Sequence, residues 1–272
     1  MTQEERKFII DTMTWSFSRL NSFDNCKFEW LLKYIEEPED SLGSCYAQFG
    51  SLCHSLLENY ANGEIGLFDL PNEFERRFPE ITEYFPQRGN KDIRSEFFDK
   101  GYDYFCNFTG FGEYEILGVE KKIEFELEGY PFIGFIDLLL KDKNTGEIVI
   151  LDHKSSTLKF KKNGQLSKTY LPKFDEFKKQ LYLYSIPIVE EYGHVDKLKW
   201  NLFKDQKSLE IPWKKKEFEE TKKWAVNKIQ DIKSEDSWMP NPEYMYCRFL
   251  CSKRLTCPYK YQLPDKKEFI PE

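Results

Sequence analysis

The sequence predicts an α/β (α+β) fold with a mixed central β-sheet flanked by helices. Three observations point to it. The first third of the 272 residues spaces its apolar side chains as helices do. From Tyr114 to Lys154 the chain runs through β-prone segments separated by turn residues. After that it returns to helix, strand and helix.

In order along the chain, Thr14–Ile35 opens with Thr and Ser and continues with Leu20, Phe23, Trp30, Leu31 and Tyr34 at helical spacing. Ser16 or Ser18 can cap it. Ala47–Tyr60 places Phe49, Leu52, Leu56 and Tyr60 on one apolar side and reads as a second helix. Pro71–Asn90, with Pro79, Pro86 and Gly89, reads as irregular, and Asp92–Phe108 as a further helix. Tyr114–Glu128 is a strand, Gly129-Tyr130-Pro131 a turn, and Phe132–Leu140 a second strand. Lys143-Asn144-Thr145-Gly146 makes a hairpin turn into a third strand, Glu147–Lys154. Ser155–Lys173 is a polar, lysine-rich loop. Asp175–Tyr192 is a helix, Leu198–Ile211 one or two strands, and Lys214–Lys233 an amphipathic helix. The tail from Trp238 is irregular.

Hydrophobic residues make up 40% of the chain, with 24 Phe, 16 Tyr and 6 Trp, enough to build a core and to exclude global disorder. No apolar run approaches the roughly 20 residues that span a bilayer. The start, MTQEERKFIIDT, lacks the apolar stretch of a signal peptide, so a cytoplasmic protein with no membrane partner is expected. The net charge of −7 argues mildly against a nucleic-acid partner, but phosphate binding follows local charge. Seven cysteines, an odd number, argue against a disulfide framework. Three of them fall within Cys247–Cys257, which suggests metal ligation.

The sharpest chemical signal is Gly134-Phe135-Ile136-Asp137 followed by Asp152-His153-Lys154. Strand residues at i and i+2 share a face, so Asp152 and Lys154 point the same way. The hairpin at Asn144-Thr145-Gly146 lets Asp137 approach Asp152. Two adjacent carboxylates repel unless a cation lies between them, and Mg²⁺ or Mn²⁺ suits oxygen ligands. Such an ion activates water, and Lys154 can hold the water or the charged phosphate. The plainer alternative is a strand cap at Asp137 and a surface ion pair between Asp152 and Lys154. Against it, Val149-Ile150-Leu151 leads directly into the charged triplet, as at a site formed where a strand leaves its sheet.

With Gln180-Leu181-Tyr182-Leu183-Tyr184 added, these motifs resemble the RecB-type branch of the PD-(D/E)XK nucleases. That branch has Gly-x-hydrophobic-Asp, then Asp-hydrophobic-Lys, then Gln-x-x-x-Tyr. The resemblance implies a restriction-endonuclease-like core. It implies catalytic roles for Asp137, Asp152, Lys154, Gln180 and Tyr184, the last two orienting the site and meeting substrate phosphate. It implies Mg²⁺ or Mn²⁺ on Asp137, Asp152 and the backbone carbonyl of His153. His153 itself departs from the family's apolar residue. Gly50-Ser51-Leu52-Cys53-His54-Ser55-Leu56-Leu57 resembles the family's Gly-x-x-x-His-x-x-Leu helix, which makes His54 a metal ligand, although a lone His is often structural. Glu120, in Val119-Glu120-Lys121, falls where the family is often acidic, and a strand-edge charge explains it equally well.

Cys26 precedes the core, and Cys247, Cys251 and Cys257 follow it. Thiolates suit an iron–sulfur cluster or Zn²⁺. A structural zinc site usually has paired Cys-x-x-Cys hooks, so a lone distant ligand plus a triplet favours the cluster. The arrangement resembles the iron–sulfur nucleases: AddB-type proteins, exonuclease V and the CRISPR-associated adaptation nucleases. It implies a 4Fe-4S cluster joining the N- and C-terminal segments. Here three residues separate the first two C-terminal cysteines, where the family often has two. Cys45, Cys53 and Cys106 are assigned to packing.

Between Leu158 and Lys179 stand Lys159, Lys161, Lys162, Lys168, Lys173, Lys178 and Lys179, against only Asp175 and Glu176. Phe160, Tyr170 and Phe174 are interleaved. Lysines with aromatics suit single-stranded DNA, and we expect contact through Lys159, Lys161, Lys162 and Lys168; a merely solvated loop is the alternative. No Gly-x-x-x-x-Gly-Lys-[Ser/Thr] loop accompanies the motifs, so a stand-alone nuclease is expected. The expectation is one domain over 1–272. Residues 1–110 form a helical part with Cys26 and His54, 111–213 the core, and 214–272 a helix and the cluster-binding tail. The function expected is a DNA exonuclease acting on single strands or ends. Alternatives are a CRISPR-adaptation-type nuclease active within a complex, a restriction-like endonuclease, and a non-catalytic DNA-binding or assembly protein on the same fold. Homo-oligomers and recombination- or CRISPR-type protein partners stay open.

Overall fold

A computed structural model describes residues 1–39, 41–86 and 92–259. The elements run α1 (Gln3–Asp11), α2 (Phe17–Asn25), α3 (Lys27–Leu31), α4 (Cys45–Ala61), α5 (Leu70–Arg77), α6 (Ile93–Asn107), β1 (Tyr114–Leu127), β2 (Tyr130–Asp142), β3 (Ile148–Lys154), α7 (Leu171–Tyr192), β4 (Lys197–Leu202), β5 (Lys207–Pro212) and α8 (Lys215–Ser234). Single π-helical turns follow α3 at Leu32–Glu36 and lie in the tail at Tyr246–Leu250. No helix among the described residues is long and apolar enough to cross a membrane.

Five strands form one sheet in the order β1-β2-β3-β4-β5. β2 pairs antiparallel with β3, Leu138 opposite Leu151. β3 pairs parallel with β4, and α7 makes the crossover a parallel pair requires. β4 pairs antiparallel with β5. The sheet is therefore mixed, as expected. β3 is its centre, and every residue from Ile148 to His153 is buried. That explains the unbroken apolar run Ile148–Leu151: a strand covered on both faces shows no alternation.

The chain folds as two compact units. One comprises Cys45–Glu126 and Ile133–Lys223; the other comprises Met1–Ser44, Leu127–Phe132 and Trp224–Glu272. In the first, α4 buries Phe49, Leu52, Cys53, Leu56 and Leu57 in an aromatic-rich core shared with Phe74, Phe97, Phe105, Leu138, Leu140, Val149 and Leu151. Phe49 meets Phe97 edge-on with ring centroids 4.8 Å apart. Truncating a wholly buried ring such as Phe74 would cost about 3–5 kcal/mol. Gly101 on α6 lets that ring seat, since a Cβ there would come within 2.2 Å of it. In the second unit, Trp30 stacks on Trp238 with centroids 5.6 Å apart, and Trp15 N–H donates to Pro131 O at 2.7 Å.

Several expectations are corrected. Leu70–Arg77 is a helix, not irregular chain. Pro71 sits in its first turn, where a missing N–H costs nothing, and Leu70 and Phe74 bury the same face. The part of that expectation on residues 87–90 lies outside the described residues, as does the tail beyond 259. Thr14–Ile35 is broken at Cys26, whose backbone is extended (φ −161°, ψ 112°); Ser16 caps the first piece, and the Cys26 thiol accepts from Glu29 N–H at the start of the second. Tyr130 and Pro131 belong to β2 rather than to a turn. α7 begins at Leu171, four residues early, because Pro172 favours a helix start. α1, with a Thr2–Glu5 capping box, was not anticipated. Cys45 and Cys53 are packed as expected, but Cys106 is exposed.

Candidate active site

All the residues singled out for nuclease chemistry lie in the first unit. Asp137 comes from β2 and Asp152 and Lys154 from β3, and the 143–146 turn brings the two strands together. Asp137 Oδ2 accepts the N–H of His153 at 2.6 Å. The Lys154 ammonium donates to Asp152 Oδ1 at 3.0 Å and to Gln180 Oε1 at 2.7 Å, and Gln180 Nε2 donates to the same Asp152 oxygen at 3.0 Å. Lys154 also lies over the Phe177 ring, 5.0 Å from its centroid. A helical turn separates Phe177 from Gln180, so α7 presents both to the lysine. Tyr184, one turn further, is buried against β2. Gly134 makes room for it: a Cβ at that position would stand 2.6 Å from the tyrosine ring. The motif glycine is thus the seat of the motif tyrosine.

His54 reaches the same place from α4. Its Nδ1 lies 3.5 Å from Asp137 Oδ2, and its ring lies beside the His153 backbone. Glu120 arrives from β1 with an unusual backbone, φ +44°. One ligand atom from each of His54, Glu120 and Asp137 lies within 4.8 Å of the others. Burial, then the charge of Asp152, pushes the Asp137 carboxyl well above the usual carboxylate range; burial, then Glu58 and Asp152, raises Glu120 as well. Burial lowers His54 and keeps it neutral. Asp152 Oδ2 is buried with no directed hydrogen bond. Lys154 stands 2.9 Å away, but its aligned bond goes to Oδ1, so the ammonium supplies charge and leaves a lone pair free. Hard oxygen donors and a neutral imidazole around an unfilled carboxylate oxygen fit Mg²⁺ or Mn²⁺. Of the sequence-predicted set, the structure gathers His54, Glu120 and Asp137 as one candidate ligand group, with Asp152 beside it and turned toward Lys154 and Gln180.

The lysine-rich segment is more ordered than a free loop. Phe160 and Leu166 form a bridge, Lys161 N–H donates to Gln165 O at 2.7 Å, and Lys159, Lys161, Lys162 and Lys168 are exposed. Lys178 and Lys179 instead pair with Asp175 at 3.1 and 2.8 Å, so the segment's positive charge concentrates before α7.

In the second unit, Cys26, Cys247, Cys251 and Cys257 line one cavity, together with Glu29 and Tyr246. Glu29 is buried there and accepts from Ser252 N–H at 2.6 Å, from the Ser252 hydroxyl at 2.8 Å and from the Tyr246 hydroxyl. Burial, then the nearby Glu29, pushes the Cys251 thiol up. The donors are four soft sulfurs, brought together from chain positions 26 and 247–257, which fits a thiolate-bound metal centre.

A sequence profile of the PD-(D/E)XK nuclease superfamily matches residues 14–263. The chain belongs to the PD-(D/E)XK nuclease superfamily. The match spans both units, the four cysteines included. Among solved structures, the chain is similar to a "Putative exonuclease" from Eubacterium rectale, with 16% identity and a TM-score of 0.50 over 100% of this chain and 96% of that one. That likeness supports the fold. SSO0001 is matched at 16% identity and a TM-score of 0.31, over 88% of this chain and 94% of that one. No curated protein matches the sequence.

Sequence reasoning overlooked two residues around this site. Phe177 could have been found from its helical spacing to Gln180. Asn201, whose amide nitrogen lies 2.9 Å from His153 Nδ1, could not, because only the β3–β4 register brings it there.

Proposed function

We propose that this PD-(D/E)XK nuclease is a Mg²⁺- or Mn²⁺-dependent exonuclease acting on single-stranded DNA or DNA ends. The observation that carries the reading is the convergence of His54, Glu120 and Asp137 within 4.8 Å, beside an Asp152–Lys154–Gln180 network in which Asp152 Oδ2 is buried without an aligned hydrogen bond. His54, Asp137, Asp152, Glu120 and the His153 carbonyl would hold the ion. When bound, it supplies a more acidic water and neutralises phosphate charge.

The chain's own groups do the rest. Gln180 and Asp152 fix the Lys154 ammonium, which keeps its third N–H available for the attacking water or a phosphate oxygen. Hydrolysis adds water across one P–O bond: the water oxygen joins phosphorus, the bond to the departing strand breaks, and the departing oxygen leaves protonated. The exposed Lys159, Lys161, Lys162 and Lys168 meet the backbone of the incoming strand, and Phe160 among them offers a stacking face. Cys26, Cys247, Cys251 and Cys257 hold a 4Fe-4S cluster that ties distant parts of the second unit together and takes no part in hydrolysis.

The test is digestion of end-labelled single- and double-stranded DNA with EDTA, Mg²⁺ or Mn²⁺. The expected result is metal-dependent release of short labelled products from single strands and from frayed or overhanging ends. Internal cuts in covalently closed single-stranded circles would replace the exonuclease reading with an endonuclease, and no metal-dependent cleavage of any substrate would remove both.

A further inference from the structure

His153 stands where the resembled family has an apolar residue, and its surroundings use its polarity. β3 leaves the sheet after Lys154, so the His153 peptide is nearly the last rung, opposite Asn201 of β4. That peptide touches two of the residues proposed to hold the metal. Its N–H donates to Asp137 Oδ2 at 2.6 Å, and its backbone lies beside the His54 ring. The two imidazoles meet edge to face, centroids 5.5 Å apart. A small rotation of this one peptide would therefore displace both ligands.

The side chain of His153 is what resists such a rotation. It is buried, 3% exposed, and its Nδ1 lies 2.9 Å from Asn201 Nδ2. The same Nδ2 donates to the Tyr104 hydroxyl oxygen at 2.7 Å. An amide nitrogen carries two hydrogens and only donates. In this orientation it gives one to Tyr104 and one to Nδ1, which puts the single ring proton of His153 on Nε2. Tyr104 is itself buried on α6, between Phe105, Phe108 and Phe203, so the outer end of the chain of bonds is anchored in the core.

We propose that Tyr104, Asn201 and His153 form a positioning relay that fixes the His153 peptide and, through it, Asp137 and His54 in the geometry that binds the divalent cation. The proposal rests on the metal-site reading above. None of the three side chains need touch substrate. Partners that orient metal ligands typically change affinity or activity by about 10–100-fold when removed.

The experiment is a titration of metal-free protein with Mn²⁺, following the free-ion electron paramagnetic resonance signal, on the parent, Asn201→Leu, His153→Leu and Tyr104→Phe. Circular dichroism confirms that each is folded at the working temperature. The relay predicts Mn²⁺ binding weaker by about tenfold or more in Asn201→Leu and His153→Leu, and weaker by a smaller factor in Tyr104→Phe. It also predicts that saturating Mn²⁺ restores most of kcat while KM for DNA stays unchanged. A merely structural role would lower thermal stability and leave the Mn²⁺ affinity of the folded protein where it was. Tyr104→Phe removes one oxygen and keeps the test open should a leucine variant fail to fold. Parent binding with folded variants within about twofold of it overturns the relay alone. A parent that binds no Mn²⁺ overturns the metal site and the relay with it.

Discussion

Metal affinity should climb with pH, and Asp137 should account for much of the climb. In the metal-free protein, burial and then Asp152 raise Asp137 well above the ordinary range, while burial lowers His54. The two act on stability with opposite signs. Asp137 holds its proton more tightly folded than unfolded. Its contribution to the metal-free fold is therefore complete below the unfolded value of about 3.9, and it is lost as pH rises through the raised folded value. His54 holds its proton more weakly folded, so it costs stability as pH falls below about 6.5 and costs nothing above. A cation must displace whichever proton remains. Each displaced proton changes Kd about tenfold per pH unit, or about 1.4 kcal/mol, so one proton over two units is about 100-fold.

Calorimetric titration with Mn²⁺ from about pH 5.5 to about pH 7.5, in two buffers of different ionisation enthalpy, measures the affinity and counts the protons released. At about 100 times Kd the ion should stabilise the fold by about 2.7 kcal/mol. For a chain of this size that is a rise in Tm of roughly 5–10 °C. Asp137→Asn should bind more weakly and lose the larger part of the pH slope, because an amide has no proton for the ion to displace. A parent Kd that stays flat across this range, with no proton release, would refute the reasoning.

Lys154→Met should lower kcat by about 10²–10³-fold while single-stranded DNA still binds, since the ammonium sits among Asp152 and Gln180 rather than on the basic surface; initial rates and fluorescence anisotropy check both halves. Replacing Lys159, Lys161 and Lys162 together with Gln should weaken DNA binding and reduce the slope of log K against log salt by about two units, because about 0.7 of a counterion is released per single-strand phosphate contact. Protein purified without oxygen should be brown and hold about four iron and four sulfide per chain. Cys26→Ser should lose iron as readily as Cys247→Ser, Cys251→Ser or Cys257→Ser, and stoichiometric zinc without iron would replace the cluster with a zinc site.

What could be read from the sequence follows the physics that is local. Asp152 and Lys154 share a strand face by the two-residue period alone, and the turn at 143–146 is written in its own residues, so their meeting with Asp137 was legible. The same holds for α4, whose apolar stripe and His54 lie on one helix. Tertiary placement is harder to read. Pro71 suggested a break and instead starts a helix, because its effect depends on which turn it occupies. Cys26 sits in a periodic stretch that gives no sign of the extended residue dividing it. The local excess of positive charge counted Lys178 and Lys179 with the rest, yet Asp175 claims both once α7 forms around them. Asn201 meets His153 across 48 residues only because β3 and β4 pair in parallel at one register.

Glu120 shows where legibility ends and what the structure adds. As a strand residue in Val119-Glu120-Lys121 it read equally well as an edge charge. Its φ of +44° takes it out of the strand conformation, in a region that a side chain with a Cβ occupies at a cost of about 1–2 kcal/mol. The position is costly electrostatically as well, because burial and the charges of Glu58 and Asp152 disfavour its carboxylate. A backbone kink and a disfavoured charge at one residue are two costs, and among the described residues no hydrogen bond to its side chain offsets them. A divalent cation shared with His54 and Asp137 would compensate the charge directly, and strain of this kind persists where the surrounding fold holds a working site in place. On that argument we propose Glu120 as a metal ligand alongside His54 and Asp137, with its kinked backbone as part of the site's geometry.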